Sequence, residues 1–393
     1  PPFPRAALFG LLVCAAITHK MGLANVGLAL ALAASIAWRL RARREGEDLF
    51  GPFRRPSPLH GPVALFVLLS FLAELFSTDP VVSLGQTKGL VTFLLVFLVS
   101  ALVDDEEDAH LLVDALRLTT LYLVLHGLVD YFIKGQDNVW ERLSGGLSIY
   151  MTYAGLLMVL ALVLAGRAMT AGRSRAGRIA DAVLAVGAVA LVGLSFTRNA
   201  YLGLAAGAVV LALTVRPRLS LFLPPLFILL VVVLPSDVRQ RVASTFDRTD
   251  AAARDRFTMW ASGAEMVRER PFFGVGPARI HDLYPVYRGA GFVEPSVGHL
   301  HDNLIHVAAE TGVPSALVYL ALVVASFAGA WPLARDVTRP GVAALARGAL
   351  AANAALFVGG LFEYNFGDVE ILRLMLVVLA LPFAAARTPG TVD

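Results

Sequence analysis

The residues best suited to chemistry lie in one interval of the chain, from Arg254 to Ser315. His299 and His301 stand two apart, and histidine titrates near neutrality, as a general base should. Arg254 and Arg256 precede them, with Trp260 one helical turn beyond Arg256. Guanidinium groups hold oxyanions through paired N–H donors, so this pattern suits an anionic ligand. Asn303, His306 and Glu310 follow on what reads as one continuing helix. Arg198 stands apart, between two apolar runs with almost no loop around it, where an arginine is costly without a partner or a task. Together these types describe proton abstraction beside a bound anion. Spacing alone also fits interfacial roles: a histidine at a membrane edge, Trp260 as an anchor, Arg256 snorkelling beside it. As metal ligands the two histidines lack a third His, Cys or Glu at zinc-like spacing, so no metal or other cofactor is expected. Phe273-Gly274-Val275-Gly276-Pro277 reads as a tight turn; no Gly-Lys-Ser/Thr follows it, as a phosphate loop would need.

The elements that position these residues are set by composition. Apolar residues make up 57% of the 393-residue chain and charged residues 16%. A soluble domain has about 45–50% and about 25%. We therefore expect an all-α polytopic membrane protein, since open strands cannot satisfy their backbone in lipid. Apolar runs fall at about 6–18, 22–38, 60–76, 86–103, 111–133, 147–166, 179–196, 200–215, 219–234, 313–332, 342–361 and 369–386, about twelve transmembrane helices. The first run is followed at once by a second, so no cleavable signal peptide is expected. The net charge of +3 is small and the arginines are spread out, so no nucleic-acid partner is expected. Cys14 is the sole cysteine, which excludes an intrachain disulfide.

Arginine-rich short links, among them Arg39 to Arg55, Arg167 to Arg178, Arg216 with Arg218, and Arg335 with Arg339, all fall on one side of this count. The positive-inside rule makes that side cytoplasmic, with both termini. The interval from about 235 to 300 is then periplasmic, and carries nine arginines against eight acidic residues. Three parts follow: 1–234 with helices one to nine, 235–312 as a long loop holding short amphipathic helices, and 313–393 with helices ten to twelve. Residues 254–270 read as one such helix, with Phe257, Trp260, Ala261, Ala264 and Val267 on one face and Pro271 ending it. The acidic turn Glu363 to Glu370 falls on the same outer side as Arg198 and the loop, so all three can converge there.

These segments resemble the O-antigen ligase and polymerase superfamily of bacterial envelope proteins. Ser195-Phe196-Thr197-Arg198-Asn199-Ala200-Tyr201-Leu202-Gly203 is similar to its Ser-x-Thr-Arg-x-x-x-x-Gly segment. Arg256-x-x-x-Trp260 with Arg270-Pro271-Phe272-Phe273-Gly274-Val275-Gly276 resembles a second segment. His301-Asp302, nine residues, then Gly312 resembles the ligase histidine motif, with Asp302 replacing the usual amide or hydroxyl and Ser315 where Gly, Thr or Tyr is usual. The resemblance implies transfer of a glycan from undecaprenyl pyrophosphate to a sugar hydroxyl of lipid A–core, at the periplasmic face of a Gram-negative inner membrane. It implies His301 as base, Arg198 and Arg256 on the pyrophosphate, no metal, and inversion at the anomeric carbon. His299, Trp260, Arg254, Asn303 and Glu310 are expected to bind substrate around them.

An O-antigen polymerase, with a growing glycan as acceptor, and a protein O-oligosaccharyltransferase are related alternatives. A lipid or glycan transporter is the alternative from another class; it would favour mid-span charges and internal repeats. Asp130 and Arg117 in the fifth run are the only candidates for such charges.

Overall fold

The computed structural model describes residues 7–12, 14, 20–44, 56–138, 140–170, 174–222, 239, 251–288 and 297–387. Among the described residues every regular element is helical. Seven helices are long and apolar enough to cross a membrane: Pro80–Leu102, Glu106–Phe132, Tyr150–Ala168, Arg175–Leu194, Arg198–Val215, Val313–Ala334 and Pro340–Gly359. Gly22–Trp38 and His60–Leu75 are shorter apolar stretches, and Val369–Ala385 closes the bundle. The expected runs at 6–18 and 219–234 lie wholly or partly outside the described residues, as do parts of the 235–300 interval.

Two helices form the interior. In Tyr150–Ala168, 83% of the best membrane-length window is buried, and in Pro340–Gly359, 78%. Their sequences suit this place, because alanine and glycine on Pro340–Gly359 let neighbouring backbones come close. Arg198–Val215 uses that closeness: a Cβ at Gly203 would lie 2.7 Å from the Ala355 carbonyl oxygen, and one at Gly207 2.8 Å from that of Ala351. This small-residue stripe seats the helix that begins with Arg198.

The two ends of the bundle differ. At one end Arg167, 1% exposed, donates from Nε and Nη2 to the two Asp181 oxygens at 2.7 Å each, and from Nη1 to Asp114 at 2.8 Å. Arg117 approaches Asp181 at 3.8 Å, so it joins this clamp. A buried charge left without such partners would be strongly destabilising. Asp130 is likewise committed, accepting from Lys134 Nζ and from the Gly145 amide at 2.7 Å each. The two mid-span candidates are therefore structural ion pairs. The opposite end of Tyr150–Ala168, a full helix length from Arg167, opens on the cleft described next.

Candidate functional site

A cleft of ≈ 410 Å³ is lined by Arg142, Tyr150, Phe196, Arg198, Asn199, Arg256, His299 and His301, with Asp255 among its other walls. Arg198, Arg256, His299 and His301, far apart in sequence, meet here. Arg198 is the first residue of its helix and is 7% exposed. That helix N-terminus faces the cleft, and its macrodipole adds positive potential beside the guanidinium. Arg256 comes from helix Ala251–Glu269.

His301 is placed by its neighbours. Asp302 is the N-cap of helix Asn303–Thr311, its carboxylate accepting from the Ile305 amide at 2.8 Å. Capping thus belongs to Asp302 and leaves the His301 ring free for the cleft. Asp and Asn cap about equally well, which accounts for the Asp302 departure from the motif. The nine residues between Asp302 and Gly312 are the length of this helix. Gly312 then turns the chain at φ 88, where a Cβ would lie 2.1 Å from the Phe272 carbonyl oxygen. His301 itself has φ 51 and Phe196, two residues before Arg198, has φ 55. Non-glycine residues in that region cost about 1–3 kcal/mol each and gather at functional sites.

Glu363, from the turn between Pro340–Gly359 and Val369–Ala385, supplies what the sequence reading lacked. Its Oε2 lies 3.1 Å from His301 Nδ1 and its Oε1 3.7 Å from His299 Nδ1. Glu363 is 6% exposed. Burial pushes its carboxyl up, but the His301 hydrogen bond and the charges of His301, His299 and Arg256 outweigh this and hold it below the usual range. An ionised Glu363 takes the His301 Nδ1 proton in hydrogen bonding and leaves the Nε2 lone pair as the acceptor. Burial, the largest effect, lowers His299 to about 4; Glu363 opposes it, and His301, His306 and Arg256 add to it. His299 is therefore a neutral imidazole at neutral pH. Its Nδ1 is buried and has no hydrogen-bond partner among the described residues.

No third ligand stands at zinc-like spacing in the sequence, but the fold brings one from far along the chain. His299, His301 and Glu363 each offer one ligand atom, all within 4.8 Å of one another. The acid lies 62 residues beyond His301, where no spacing rule finds it. Such a His₂Glu set suits a divalent cation. The direct His301–Glu363 hydrogen bond gives the same carboxylate a partner without one.

The remaining expected residues are held elsewhere. Asn303, 2% exposed, donates to Asn365 at 2.8 Å and accepts from the Phe366 amide at 3.0 Å. It staples the His301 segment to the turn that carries Glu363. Glu310 accepts from the Ala278 amide at 2.9 Å and lies 3.3 Å from His306 Nε2. The glycine turn is structural, as expected: Val275 and Gly276 donate to the carbonyls of Ala309 and Glu310 at 2.8 and 2.9 Å. Trp260 packs on Phe257 and Phe362. Arg254 lies exposed on the first turn of its helix. Helix Ala251–Glu269 also corrects the expected face. Met259, Ser262 and Met266 are buried, whereas Phe257 is 60% exposed. The helix packs its thioether face on Asn303–Thr311 and turns part of the expected stripe outward.

Among the described residues, fold and site together define a helical bundle with seven helices apolar enough to cross a membrane, whose polar cleft joins arginines to a histidine–carboxylate pair. The O-antigen ligase family model matches residues 182–320, which carry Arg198, Arg256 and His301. A Rickettsia conorii protein provisionally named a polysaccharide ligase is 23% identical over 290 residues, covering 68% of this chain and 67% of that relative. The chain is thus similar to the O-antigen ligase family over residues 182–320 and, more distantly, to a protein named as a polysaccharide ligase.

Proposed function

We propose that this protein is an O-antigen ligase, transferring glycan from undecaprenyl pyrophosphate to a sugar hydroxyl of lipid A–core at the periplasmic face of the inner membrane. The observation that carries the reading is the meeting of Arg198, Arg256 and the His301–Glu363 pair in one cleft. His301 Nε2 takes the acceptor hydroxyl proton as the hydroxyl oxygen bonds to the anomeric carbon. The bond from that carbon to the pyrophosphate oxygen breaks on the opposite face, which inverts the anomeric centre. Arg198, Arg256 and the helix N-terminus hold the charge that gathers on the leaving pyrophosphate. Glu363 fixes the ring and stabilises the imidazolium formed. Arg167, Arg335 and Arg339 at the far end support, by the positive-inside rule, a cleft on the outer side, with the interval 235–312 as a periplasmic loop between spans nine and ten of a proposed twelve.

Lipopolysaccharide from a deletion strain tests the assignment. A core stripped of polymer, with lipid-linked polymer retained, is the expected result. A core carrying a single repeat would make the protein a polymerase.

A further inference from the structure

A third guanidinium lines the cleft from a segment outside the matched region. Arg142 lies in the link between Glu106–Phe132 and Tyr150–Ala168, and its Cζ sits 4.4 Å from the Tyr150 ring centroid. Both residues line the cleft with Arg198 and Arg256. The link is anchored from below. Leu143, next in sequence, is fully buried, and the Gly145 amide donates at 2.7 Å to Asp130, itself 0% exposed. Lys20 Nζ donates to the Gly146 carbonyl at 3.1 Å. Stacking on the ring holds the guanidinium by its face, and its planar edge has the shape that matches a phosphate fork.

Charge makes the case quantitative. Among the described residues the cleft is lined by Arg142, Arg198 and Arg256 against one carboxylate, Asp255. With the ionised Glu363 behind His301 also counted, three positive charges less two leave +1 to face a pyrophosphate diester of about −2. Without Arg142 the balance would be zero.

We infer that Arg142, seated on Tyr150, forms a third phosphate subsite that sets affinity for the lipid pyrophosphate donor. The inference rests on the donor proposed above. Arg142 touches the phosphate and takes no part in proton transfer, so its loss acts on donor binding and leaves acceptor binding alone.

The test is binding of undecaprenyl pyrophosphate, without glycan, to the purified full chain in nanodiscs, followed by donor and acceptor KM values. Arg142→Gln is expected to weaken binding about tenfold or more and to raise donor KM, with acceptor KM and melting temperature unchanged. Tyr150→Phe keeps the ring and stays near wild type; Tyr150→Ala shifts binding in the direction of Arg142→Gln. Equal binding by wild type and Arg142→Gln, or a rise confined to acceptor KM, overturns the subsite while the donor assignment stands. A wild type that binds no undecaprenyl pyrophosphate overturns both.

Discussion

At the scale of single residues, the division of labour around His301 is the main result. Glu363 is a positioning residue for it, so Glu363→Gln should lower kcat by about tenfold to a hundredfold with little change in donor KM, since a neutral amide orients the ring but stabilises an imidazolium poorly. A Glu363→Gln variant with wild-type kcat would remove the carboxylate from the account. His299 makes a separate prediction. Its pKa falls from 6.5 to about 4 on folding, so below about pH 6.5 the unfolded chain binds a proton that the folded site refuses. Stability should therefore drop as pH falls from 6.5 toward 4, and His299→Gln should flatten that drop. Imidazole NMR signals showing His299 half protonated near pH 6.5 would contradict the burial argument. Arg198 stood out in the sequence as an arginine amid apolar runs and His301 as one of two histidines at a span edge, whereas the choice of His301 over His299 and the role of Arg256 came from the family resemblance. Glu363 was visible only as part of an acidic turn facing the same side. Its pairing with His301 depends on how Pro340–Gly359 packs, and no local pattern encodes that.

At the scale of elements, short-range capping and small-residue packing aim the side chains. Asp302→Ala removes the N-cap of Asn303–Thr311 and should cost about 1 kcal/mol of stability, whereas Asp302→Asn should cost little. Thermal denaturation in detergent compares the two, and equal losses would deny the capping role. Gly203→Leu should displace Arg198–Val215 from Pro340–Gly359, since Met158 and the Ala355 carbonyl leave no room for a side chain. Activity should fall with Arg198 moved out of register, while Gly187, whose Cβ would meet only the Val124 side chain at 3.4 Å, should tolerate alanine. The existence of most helices followed from apolar periodicity, because each run is close to membrane length. The buried face of Ala251–Glu269 did not. Its Phe257, Ala261 and Ala264 stripe is apolar, but Met259 and Met266 share a buried cluster with Ile305 and Ala309 of Asn303–Thr311, and a helix apolar on two sides gives no single answer from sequence.

At the scale of the whole molecule, the bundle separates an arginine–aspartate clamp at one end from the cleft at the other. Orientation is then a single question. Val286 is 75% exposed near the cleft end and Val337 85% exposed at the other. Because Cys14 is buried, a cysteine at position 286 should react with an impermeant thiol reagent in whole cells, and one at 337 only after lysis; the reverse pattern would turn the site to the cytoplasm. The central claim is that His301, held by Glu363, is the base for glycan transfer from an arginine-bound lipid pyrophosphate. It is tested most directly by transfer of lipid-linked glycan to lipid A–core with purified protein in a chelator. The account predicts turnover by the wild type and a loss of about 10²–10⁴-fold for both His301→Ala and His301→Asn. Full turnover by His301→Asn would contradict the base, and chelator-dependent loss in the wild type would assign His299, His301 and Glu363 to a metal ion instead.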